Sequence, residues 1–77
     1  MPTGTVITAD ERRILLRVHG GEDIVVGLAG TRDQGVQLAR RMMRLIDDAE
    51  STGEWPELDD RFIRPGAIVS IDVQRAD

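Results

Sequence analysis

The residues able to do chemistry are few and poorly grouped. His19 is the one histidine, and there is no cysteine. An imidazole working as a general base needs a nucleophile to deprotonate and a third group to orient it. His19 closes an alternating stretch just before Gly20-Gly21, with no serine, cysteine or paired carboxylate beside it, so it reads as a surface residue. Asp47-Asp48 and Asp59-Asp60 are adjacent carboxylates. Metal or catalytic use would require further ligands converging on them, and the spacing supplies none. Gly27-Leu28-Ala29-Gly30-Thr31 loosely resembles a phosphate-binding turn at a strand-to-helix junction. It lacks both the GxGxxG spacing and the lysine ending of a P-loop, and reads as a plain connection. No catalytic residue, metal ligand or cofactor site is expected, and the chain is expected not to be an enzyme.

The arginines form the other chemical group. Arg40, Arg41 and Arg44 share the polar side of one segment, and Arg12, Arg13 and Arg17 lie on another. Such residues could track phosphates, so a nucleic-acid-binding regulator is the alternative reading. Against it stand a net charge of −4 and a pI near 4.8. Arg44 is spaced to pair with Asp48 one turn on, which predicts a self-paired solvated face. Aromatic residues for base stacking are missing from both arginine groups.

These residues must be positioned by one dominant element. Thr31 to Thr52 is the only stretch with a sustained helical period. Thr31 and Gln34 have capping-box spacing, Asp33 complements the helix dipole, and Gly53 suits the C-terminal stop before Pro56. Val36, Ala39, Met43 and Ile46 are expected to face a sheet, with Leu38 and Leu45 at the margin. That apolar arc is wider than one packing contact needs.

The rest reads as strands and turns. Arg12 to His19 alternates, Gly20 to Asp23 turns the chain, Ile24 to Ala29 is a second strand, and Ala67 to Gln74 a third. Glu54 to Asp60 is an acidic surface loop, in which Trp55 beside Pro56 reads as packing over the helix end. The fold class expected is α+β: a ββαβ unit with a three-stranded mixed sheet in order 2-1-3, covered on one face by a single amphipathic helix. The inner face would hold Ile14, Leu16, Val18, Ile24, Val26, Leu28, Val69, Ile71 and Val73. Residues 1–77 form a single small domain, in which 1–10 is either a frayed end or, through Val6 and Ile7, an extra edge strand.

One helix shelters one side of such a sheet. Leu15, Val25, Ala29 and Ile68 are expected on the other side, and with Leu38 and Leu45 they form the candidate interface. The hydrophobic share of 40% suffices for a small core, and with one Phe and one Trp that core must be aliphatic. Domains of this size often lean on disulfides, metals or oligomerisation, and only the last is open here. A homodimer or higher oligomer is therefore expected, with a host or cellular protein as a further kind of partner. The apolar runs are too short to span a bilayer, and MPTGTVITADE lacks the features of a signal peptide, so a cytoplasmic location is expected.

All ten basic residues are arginine, a bias that fits a GC-rich genome. With the strand–turn–strand–helix order and the closing FIRPGAIVSIDV, the chain resembles short uncharacterised proteins encoded by actinobacteria and their phages. That resemblance implies a small protein that acts by binding itself or a host protein, and it carries over no functional residue.

Overall fold

The computed structural model describes residues 10–76. The elements run β1 (Arg12–Val18), β2 (Ile24–Ala29), α1 (Arg32–Ser51), β3 (Glu57–Leu58), β4 (Arg61–Phe62), a 3-10 turn (Pro65–Ala67) and β5 (Ile68–Arg75). The main sheet has the order β2-β1-β5, as expected, and β1 is antiparallel to both neighbours. The edge strands β2 and β5 therefore run parallel to each other, joined across α1. The suggested strand at Val6 and Ile7 lies outside the described residues.

The helix ends follow from their residues. Thr31 Oγ1 accepts from Gln34 N–H at 3.1 Å. Gln34 Oε1 accepts in return from Gly30 N–H at 3.2 Å, so the box closes one residue before the cap. At the other end Gly53 N–H donates to Glu50 O at 3.1 Å and Glu54 N–H to Ala49 O at 2.8 Å, the paired bonds of a Schellman motif. The helix lies on the sheet through Gly35, Ala39 and Ile46, which are buried. Met42 packs on the same core, while Met43, expected to face the sheet, is exposed at its flank.

Two β-bulges reset the alternation of the edge strands. In the β1–β2 ladder Ile14 faces Gly27 but Leu15 faces Val25, leaving Val26 as an extra residue. Beyond the bulge the faces swap: Gly27 turns inward and Leu28 outward, where it is 72% exposed. Ala29 comes opposite Arg12, on the helix side and not on the far face expected for it. A methyl group on Gly27 would stand 2.5 Å from Leu38 Cδ2, so the glycine makes room for the helix. In the β1–β5 ladder Arg17 faces Ser70 and Val18 faces Ile68, leaving Val69 extra. Ile68 therefore packs on the core, correcting its expected place on the far face, and Val69 is left 65% exposed.

Ile14 and Leu16 of the central strand are fully buried. The main cluster joins Leu16, Ile24 and Ile46 to Leu58 and Ile63. Leu58 comes from the segment read as an acidic surface loop, and Ile63 lies just beyond it; the two belong to one unit. It is a tight hairpin, β3–β4, turning through Asp59 and Asp60 with φ of 52° and 59°. Positive φ at both central residues is the type I′ geometry that suits hairpin twist, and aspartate tolerates it better than most residues.

Candidate functional site

The candidate surfaces start from the far face of the sheet. Arg13, Leu15 and Arg17 alternate along β1 away from the helix, opposite Gln74, Asp72 and Ser70 of β5. Arg17 Nε donates to Asp72 Oδ2 at 2.5 Å, and Ser70 Oγ donates to Asp72 Oδ1 at 2.9 Å. Leu15 is only 9% exposed, so it is not a spare apolar surface residue. Arg13 Nε is buried without an acceptor, a donor that a partner group could satisfy. Val25 remains exposed on β2, opposite Leu15.

Of the six candidate interface residues, then, Leu15 and Val25 lie on the far face. Ala29 and Ile68 lie on the helix side because of the bulges. Leu38 lines a shallow cavity with Leu28 and Ala29 on the β2 side of the helix. Leu45 is exposed on the helix. The structure does not gather these residues into one patch.

The exposed apolar groups gather instead along the margins. Met43 and Val69 line one shallow groove with Ile46, Ile68 and Ile71, along the flank between helix and β5. That flank is also an open sheet edge: among the described residues β5 pairs only with β1. Ala76 N–H donates to Glu11 O at 3.1 Å, which fixes the ladder's phase. Gln74, Asp72 and Ser70 exchange bonds with β1, and Ile71, Val73 and Arg75 direct their N–H and C=O groups outward. The bulge on β5 falls near its start, so the ladder from Ser70 onward is regular. The bulge on β2 falls mid-strand and blunts that edge.

The arginines also differ from expectation. Arg40, Arg41 and Arg44 are all exposed, and among the described residues none makes an ion pair; the expected Arg44–Asp48 pair is not formed. His19 is exposed at the end of β1, its backbone N–H donating to Ala67 O at 2.7 Å. Among the described residues no three histidine, cysteine or carboxylate groups converge as metal ligands do. Among the described residues no helix is long and apolar enough to cross a membrane.

The hairpin makes a further surface that sequence reasoning missed. Ile63 N–H donates to Pro56 O at 3.1 Å, extending the β3–β4 ladder, so Trp55 and Arg64 stand opposite each other. Pro56, Leu58 and Ile63 are buried, while Trp55, Glu57, Phe62 and Arg64 are exposed on the other side. Trp55 sits beside the helix end, as expected, with Glu50 and Gly53 lining a shallow cavity next to it. It is nevertheless 50% exposed, and the Arg64 guanidinium carbon lies 5.5 Å from its ring centroid. The signal that could have found this hairpin is Asp59-Asp60 between Leu58 and Phe62, a two-residue turn flanked by apolar residues.

No protein-family model matches this chain, and no curated protein or solved structure matches it either.

Proposed function

We propose that this chain is a small non-enzymatic protein-interaction module that associates with copies of itself, serving as a phage or accessory regulatory protein. What carries this reading is the outer edge of β5, which among the described residues is an unpaired regular edge bordered by exposed Val69 and Met43. An edge of this kind is a template for another strand. A second copy fits it. In antiparallel pairing about a two-fold axis at Ile71, Ser70 of each copy meets Asp72 of the other and Val69 meets Val73, so no like charges stand opposite. The sheet then continues through both copies and the Met43–Val69 margin is covered, adding apolar burial to a domain too small to bury much alone.

Val69→Lys tests this directly. Sedimentation or light scattering at micromolar concentration should give a dimer for the parent chain and a monomer for the variant, with unchanged far-ultraviolet circular dichroism. A parent chain that stays monomeric overturns the proposal.

A second reading, nucleic-acid binding through Arg40, Arg41 and Arg44, is favoured by their making no ion pair among the described residues. Three phosphate contacts would give a logarithmic salt dependence with slope of about −2.7 on generic duplex DNA, abolished by replacing all three with alanine. No binding at low salt removes this reading.

A further inference from the structure

The chain's two aromatic side chains both stay out of the core, and both sit on the same side of one short hairpin. Trp55 is 50% exposed and Phe62 67%. Buried Pro56, Leu58 and Ile63 anchor the reverse side, so the aromatic side is held on a fixed support. The turn at its tip is a tight two-residue turn through Asp59 and Asp60, which fixes how the two strands pair. Tryptophan and arginine are the residues most often found at binding hot spots, where large flat groups gain contact at little cost in conformational freedom.

The surrounding charge says what would be attracted. Glu57 lies directly across from Phe62, and Glu50 and Glu54 line the cavity beside Trp55. Asp59 and Asp60 form the tip. The only cations on the hairpin are Arg61 and Arg64, and Arg64 is already stacked against Trp55. An acidic rim around exposed aromatic rings complements a basic partner and repels phosphates. A second copy of this chain carries a net charge of −4 and does not complement it.

We infer that the exposed side of the Trp55–Arg64 hairpin is a docking surface for a segment of another protein, a peptide combining apolar side chains with arginine or lysine. The apolar groups cover Phe62 and the free part of the Trp55 ring, and the cation is held by Glu57 and Glu54. This surface is separate from the β5 edge and does not rest on self-association.

The test selects a displayed library of random short peptides on the full chain, against a Trp55→Ala/Phe62→Ala background. Selected sequences are then titrated as synthetic peptides. Trp55 is the sole tryptophan, so its emission reads binding directly. The enriched pool should be net positive and apolar. Phe62→Ala should weaken binding about tenfold or more, as truncation of a hot-spot residue does. Glu57→Arg should also weaken it, while Val69→Lys should leave it unchanged. All these positions are exposed, and circular dichroism checks that each variant folds. No enrichment over the double variant, an acidic or neutral pool, or equal binding by Phe62→Ala overturns the inference.

Discussion

Leu16→Ala should destabilise the domain by about 3–5 kcal/mol, the usual cost of a buried leucine whose cavity cannot collapse. Leu16 is fully buried in the central strand, facing Ile71 on one side and Ile24 on the other. It also belongs to the cluster with Ile46, Leu58 and Ile63, so helix, sheet and hairpin all lose a contact together. A domain of this length has about 4–12 kcal/mol in all. The melting temperature should therefore fall by at least about 12 °C, and a urea titration should show a lower midpoint with little change in slope. Leu28→Ala is the matched comparison. Leu28 is the same residue type on the neighbouring strand, but the bulge turns it outward, and its loss should stay within about 0.5 kcal/mol. Equal losses at the two sites would mean that the β1–β2 register is not the one described.

The second large effect separates two adjacent residues. Ile63→Ala should cost about 2–4 kcal/mol, because Ile63 is 7% exposed and packs in the main cluster. Phe62→Ala, next to it, should cost less than about 0.5 kcal/mol despite removing a larger side chain. Thermal melts of the two variants decide the point. The contrast follows from the two-residue period of the hairpin, which buries Ile63 and presents Phe62. If Phe62 proves the costlier position, the hairpin packs on the sheet by its other side, and the docking surface inferred for it does not exist.

The large elements were legible because their signals are redundant. Thr31, Gln34 and Gly53 mark the helix ends chemically, and the apolar period marks its length; the helix spans Arg32–Ser51 between those marks. The strand order followed from chain connectivity and the need to place the last strand beside the first. The bulges carried no such mark. Val25-Val26 and Ile68-Val69 are pairs of similar apolar residues, so inserting an extra residue there leaves the sequence pattern looking unbroken. Every face assigned beyond those points was therefore open to inversion, which is how Leu28, Ala29 and Ile68 came to be misplaced. The hairpin was hidden for another reason. Its strands are two residues long, and the acids around Leu58 outweigh one buried leucine in any average over the segment. Chemical patterns along the chain set which groups are near in sequence, whereas the β5 edge, open among the described residues, depends on distant strands meeting.

The place of β1 in the sheet also bears on how the chain is made. Its partners on one side follow at once, across the turn to β2, but those on the other side belong to β5, about fifty residues further on. At ribosomal rates of about 5–20 residues per second, that gap lasts roughly 3–10 s. Throughout that interval β2 is the one sheet partner β1 has, and the flank of β1 that bonds to β5 through Arg13, Leu15 and Arg17 has none. Two emerging chains on one message could exchange their last strands at this stage, each filling the vacancy of the other. Slow translation between Thr52 and Ala67 would lengthen the exposure and raise the yield of such swapped pairs.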